Sequence, residues 1–129
     1  MANQITGFAC INIPVSNVEA SVEFYVNKLG CKLLREVQRG EHVTNAFIQF
    51  GDTGPAAILH EEEVKYELHY KRHDHYVPLF ELECSDVQSF FEQLKKQSVR
   101  LEGEVGTHTC GDRFQVVDPD QNRLLLIQK

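Results

Sequence analysis

No stretch of the chain approaches the ~20 consecutive apolar residues that a membrane-spanning helix needs, and neither end carries a block of like charges. Basic residues are the scarcer sign, with thirteen Lys plus Arg against nineteen Asp plus Glu and a formal net charge of −6. That balance argues against a nucleic-acid binder, which relies on a basic face, and disfavours an anionic membrane surface. The acidic surplus runs through both halves of the chain. The four cysteines, Cys10, Cys31, Cys84 and Cys110, form no C-x-x-C pair. The opening residues lack the basic and apolar regions of a secretory signal. Reduced thiols and a cytoplasmic location are therefore expected. What the 129 residues do have is an ordinary globular mix, 42% apolar and 25% charged, which suits one domain with its own core.

Two segments carry a helical period. In the first, Val18, Val22, Tyr25 with Val26, and Leu29 form one stripe between a capping Asn17 and a terminating Gly30. In the second, Val87, Phe90, Phe91 and Leu94 repeat the stripe behind Asp86, and Lys95 with Lys96 suit the negative end of the helix dipole. An alternating strand precedes each helix: Ile11, Ile13 and Val15 in one case, Phe80, Leu82 and Cys84 in the other. Three strand-like runs follow each helix. They are 31–38, 43–50 and 56–60 in the first half, and 99–104, 113–117 and 123–128 in the second, with turns at 51–55 and 118–122. The pattern strand–helix–strand–strand–strand thus occurs twice. A shift of 69 residues lays Val15-Ser-Asn-Val18 on Cys84-Ser-Asp-Val87. Residues 61–76 read as a polar connector.

The segment from Ile13-Pro-Val-Ser to Phe24-Tyr25, followed by Leu29-Gly30, and the segment Gly111-Asp-Arg-Phe-Gln-Val-Val-Asp-Pro-Asp-Gln-Asn122 resemble the vicinal oxygen chelate superfamily of glyoxalases, bleomycin-resistance proteins and ring-cleaving dioxygenases. In the second segment Gln121 stands where the family usually has glycine. The resemblance implies an α+β fold of two βαβββ modules, about 5–65 and 76–129, whose mixed sheets curl into a cup within one 1–129 domain. It also implies a homodimer. Metal-binding members place two ligands in each module. The corresponding positions here are Cys10, Leu79 and Leu125, with the fourth near Ile58. One thiol and three hydrocarbon side chains do not make a divalent-ion site, so no metal cofactor is expected.

The candidate residues follow from this layout. Cys10 and Asn12 fall on the cup-facing parity of the first strand, and Glu81 and Glu83 on that of the Leu79 strand. They read either as an acidic, partly apolar ligand site or as solvated groups on an open sheet face, with Glu83 nearer the rim. His60 shares the parity of Ile58 and reads as a general base near neutral pH or as a surface residue. Cys10 reads as a nucleophile or as a small buried hydrophobe. His69, His73 and His75 would share one face of an extended strand and take zinc, or else lie on an exposed connector. Cys110, near His108, reads as a loop thiol. Phe114 reads as a stacking surface for the ligand or as core.

Two functions are compatible with these residues. One is a metal-free cup that binds a small cationic or aromatic molecule through an apolar wall and a few placed polar groups, as a resistance-type protein does. The other is a lyase, isomerase or dioxygenase that uses Zn, Ni, Mn or Fe, with ligands drawn from His60, Glu81 and the His69, His73 and His75 group.

Overall fold

The computed structural model describes residues 3–129. The chain divides into two compact units, one closing at Val64 and the other running Lys65–Lys129.

In the first unit, β1 (Ile11–Val15) leads into α1 (Val18–Val22), which continues as wider π-type turns over Glu23–Lys28. Strands β2 (Lys32–Arg39), β3 (Thr44–Gln49) and β4 (Ala56–Glu61) follow. The sheet order is β1-β4-β3-β2, with β1 parallel to β4 and the other pairs antiparallel. Asn17 caps the helix as its sequence position predicts, its Oδ1 accepting the Ala20 N–H at 3.0 Å. A second cap comes from the end of β4, where Glu61 Oε2 accepts the Val18 N–H at 2.9 Å. The wide turns move the buried stripe. The Leu29 N–H reaches back five residues to the Phe24 carbonyl, and the buried set is Val18, Ser21, Phe24 and Tyr25, while Val22, Val26 and Leu29 are only half-buried. Gly30 turns the chain out of the helix at φ 81°, a conformation that costs glycine little.

The second unit repeats the design: β7 (Glu81–Glu83), α2 (Val87–Lys96), β8 (Leu101–Gly106), β9 (Asp112–Val117) and β10 (Arg123–Gln128). Its sheet order is β7-β10-β9-β8, again with the first and last strands parallel. Asp86 Oδ1 accepts the Ser89 N–H at 3.1 Å. Gln128 Oε1, at the end of β10, accepts the Val87 N–H at 2.8 Å, as Glu61 does for α1. Under α2, Phe91 and Phe114 meet edge to face at 5.3 Å. The Asp-Pro turn is closed by Asp118 Oδ1, which accepts the N–H groups of Asp120 and Asn122. Gln121 takes φ 69° there, so the left-handed position that suits glycine is filled by a larger residue.

The region read as a polar connector is instead an antiparallel hairpin, β5 (His69–Arg72) with β6 (His75–Pro78). Its charged residues mask its period, and its anchors lie more than fifty positions away. The Leu68 N–H donates to Asn122 Oδ1 at 2.8 Å, and the Arg123 N–H donates to His69 Nδ1 at 3.3 Å. His69 also sets its edge against Tyr76, with ring centroids 4.7 Å apart.

Asn122 is 1% exposed, so removing its amide strands the Leu68 N–H in a buried site. The substitution Asn122→Ala should cost about 1–3 kcal/mol, read by urea denaturation. It should also raise amide exchange at Leu68 and along β5 before the rest of the chain. A loss below about 0.5 kcal/mol, the range of surface substitutions, would show that this amide does not anchor the hairpin.

Candidate functional site

Strand alternation gives each sheet a helix-side face and an opposite face. In the first sheet Ile13, Ala46, Ile48, Ala57 and Leu59 are fully buried on the helix side. The alternate positions form the other face, where Asn12 lies beside Ile58, and Pro14 and Asn45 flank His60. Two of the predicted residues meet there: His60 Nε2 and Asn12 Oδ1 are 2.8 Å apart. Beside them Arg35 donates to Asn45 Oδ1 at 2.7 Å and lies 3.9 Å above the Phe47 ring. A separate cleft of about 500 Å³ in this unit is lined by Glu41, Glu61, Glu62 and Glu63 together with His42.

In the second sheet the helix side holds Phe114, Val116, Leu124 and Leu126. The opposite face carries Glu81 beside Leu125, then Gln115, then Glu102, one from each strand in turn. A cavity of about 530 Å³ opens over this face, with the β5–β6 hairpin as one wall. Its charges are partly committed. Arg123 Nη2 donates to Glu102 Oε1 at 3.1 Å, Arg123 Nη1 donates to the Gln121 carbonyl at 3.2 Å, and its guanidinium sits 4.0 Å above the Tyr76 ring. Arg100 Nη2 reaches the same Glu102 oxygen at 3.3 Å. Glu102 therefore lies between two guanidinium groups. Arg113 on β9 lines the cavity, and its Nε is buried with no acceptor.

The remaining predicted residues are dispersed. Cys10 is half-buried just ahead of β1, its thiol 3.6 Å from the Ile11 carbonyl. Glu81 is exposed on β7. Phe114 borders the cavity but is 2% exposed and packs edge-on to Phe90 and Phe91; its ring belongs to the core, so the expectation of a stacking surface is corrected. The three histidines do not share a strand face either. His69 is buried on β5, His73 occupies the turn at φ 56°, and His75 is exposed on β6 at the cavity wall. The hairpin turn between them breaks the extended geometry that the spacing assumed. Tyr76, Glu102, Arg113 and Arg123 carry no motif, and the sequence alone did not single them out.

The donor set fails the test for a divalent ion. Ile58 and Leu125 occupy the site-side face with hydrocarbon side chains, Leu79 is 54% exposed ahead of β7, and Cys10 is one thiol. Among the described residues no three His, Cys, Asp or Glu side chains gather as a metal site.

This repeated βαβββ architecture with a cavity on the helix-free sheet face is an α+β fold of the glyoxalase type. The chain belongs to the Glyoxalase/Bleomycin resistance protein/Dioxygenase superfamily, whose model matches residues 7–126. It is 32% identical over 120 residues to lactoylglutathione lyase from Neisseria meningitidis, covering 89% of this chain and 85% of that protein. Its fold is similar to that of TnmS3, an antibiotic binding protein from Streptomyces sp. CB03234, with a TM-score of 0.75, 21% identity and 98% of each chain covered. It is also similar to a mutant of the fosfomycin resistance protein FosX from Listeria monocytogenes, complexed with Mn(II) and 1S,2S-dihydroxypropylphosphonic acid. That likeness has a TM-score of 0.74 at 14% identity, over 97% of this chain and 93% of that one.

Two of the cysteines are tuned by burial. The Cys31 thiol, after Gly30, is pushed from its ordinary 9.0 up to about 12 by loss of water. Cys84 is raised by burial and then by the Asp86 carboxylate. Neither is a thiolate nucleophile. Folding therefore keeps the Cys31 proton at pH values where the unfolded chain releases it. The stability this contributes is fully present below pH 9.0 and falls as pH rises through about 12. Across that window wild-type protein should lose stability more steeply than Cys31→Ala, measured by urea denaturation at successive pH values. Parallel profiles for the two proteins would show that Cys31 is not held protonated by the fold.

Proposed function

We propose that this chain binds a small organic molecule by recognition alone, in the cavity over the second sheet. The observation that carries this reading is chemical: Ile58, Leu79 and Leu125, hydrocarbon side chains, and the single thiol of Cys10 stand where the resemblance puts the metal ligands. Beside Leu125 lies a space of about 530 Å³, within the range of small-molecule sites. Tyr76 and Leu125 supply apolar wall, and the Arg123–Glu102 pair is fixed before any ligand arrives. Side chains already held in place lose less freedom on binding. Aromatic and apolar bodies suit such a wall. The net charge favours a cationic ligand, but much of the first unit's excess acid lies at the Glu41 and Glu61–Glu63 cleft, and Glu102 is paired with Arg100 and Arg123. The charge preference of the cavity is thus a local matter. Sequestration of a toxic compound is the biological role this reading favours, in a cytoplasmic homodimer. No helix of the described residues is long and apolar enough to cross a membrane.

A second reading, a metal-dependent lyase, draws on the 32% identity to lactoylglutathione lyase. It would need ligands at positions such as His60 and Glu81. His60 is already engaged by Asn12, and Glu81 stands exposed beside Leu125.

Protein purified without a histidine tag should carry less than one-tenth of an equivalent of Zn, Ni, Mn or Fe by elemental analysis. A panel of aromatic and apolar compounds, charged and neutral, should contain members that raise the melting temperature. Ligand at a hundred times its Kd adds about 2.7 kcal/mol of stability. One equivalent of metal, lost in His60→Ala or Glu81→Ala, would overturn the first reading in favour of the second.

A further inference from the structure

We propose that the cavity over the second sheet recognises an acid group, and that Arg113 is the residue that holds it. This rests on the reading of that cavity as a small-molecule site and names the ligand class: an organic acid with an apolar or aromatic body. Arg113 lies on β9 opposite Gly106 of β8 and Ile127 of β10. Its neighbour Phe114 faces the helix side, so Arg113 takes the cavity side by alternation and lines the cavity. The cavity's other arginine is committed to Glu102, the Gln121 carbonyl and the Tyr76 ring. Among the described residues Arg113 has no ion-pair partner, and its Nε is buried without an acceptor.

An arginine stays charged at all physiological pH, and a buried N–H of a charged group without an acceptor is costly. A carboxylate or similar oxyanion removes that cost and matches the guanidinium fork with two parallel hydrogen bonds. Gln115, two residues along on the same face, lines the cavity as well and offers an amide donor. Leu125, between β7 and β9, gives the apolar floor for the rest of the ligand. Two further carboxylates oppose the acid, one of them 3.8 Å from His75 Nδ1. Glu104 and Asp74 also line the cavity, but both are exposed, and solvent weakens charges placed there. Arg113 outweighs them because it is half-buried with its Nε out of water, whereas both carboxylates are solvated.

Three compounds of one shape test the charge: 1-naphthoate, the uncharged 1-naphthamide and the cationic 1-naphthylmethylammonium. Binding is followed by calorimetry at low salt. Wild-type protein should bind 1-naphthoate at least tenfold tighter than 1-naphthamide, and the cation most weakly. In Arg113→Gln the preference for the acid should fall to within about twofold, while affinity for 1-naphthamide stays within about threefold. Arg113→Lys keeps the charge but loses the fork, and should retain an intermediate preference. Wild-type protein that binds the cation as well as the acid, or an Arg113→Gln protein that keeps the tenfold preference, would overturn the proposal. The wild-type comparison stands even if the glutamine variant does not fold. If none of the three binds while other compounds of the wider panel do, acid recognition is overturned and the cavity reading survives. If nothing in either set binds, the cavity reading itself fails.

Discussion

The structure depends on one pairing made twice: the strand before each helix lies parallel to the last strand of its unit. Parallel strands need a long crossover, and the helix supplies part of it. The pairing then carries the end of the last strand to the start of that helix. There Glu61 and Gln128 each accept a backbone N–H of the first helical turn, from Val18 and Val87. The free N–H groups of a helix start would otherwise need water. Strand pairing, helix entry and the orientation of both sheet faces are thereby fixed together. Swapping the parallel partner would uncap the helix and misplace the apolar face at once.

With the helix side filled, the opposite face becomes the place where chemistry can vary without harming the fold. The two sheets use it differently. In the first, the polar groups partner each other: Asn12 with His60, and Asn45 with Arg35 over Phe47. Such a face has little unsatisfied capacity left to offer. In the second, Arg123 and Arg100 share Glu102, while Arg113 keeps a buried donor open. The asymmetry between units arose without a change of topology, because alternation places every second side chain on this face whatever its type.

Much of this was legible in the residues. The caps Asn17 and Asp86, the stop at Gly30, the Asp-Pro turn and the repeat by 69 positions are local signals, and local signals survive in one dimension. The apolar alternation also placed Asn12 and His60 on a shared face, and the structure joins them at 2.8 Å. Three things were not legible. The wide turns over Glu23–Lys28 depend on a carbonyl five residues back, which no 3.6-residue stripe encodes. The hairpin at His69–Pro78 is held by Asn122 and Arg123, far away in sequence. The cavity's arginines belong to no motif, since a guanidinium in a strand reads as solvated until its neighbours across the sheet are known. Reading β9 against β10 was the available route to Arg113: Leu125 had already been assigned the site-side face, and Gln115 pairs with it.

The same comparison explains why total charge is a poor guide to ligand preference here. A surplus of six negative charges sets the long-range field, but salt damps that field over roughly 8–10 Å. Inside a cavity the deciding quantity is which charged group has lost its water and found no partner. Glu102 is paired with two guanidinium groups, so it attracts little more. Glu104 and Asp74 kept their water, so their pull is weak. Arg113 lost water at Nε and gained nothing. Differences of one unpaired hydrogen bond are worth more at that distance than several solvated carboxylates further out. On the proposed reading, a sheet face with hydrocarbon at Leu125 discriminates by leaving one desolvated donor for the ligand to satisfy.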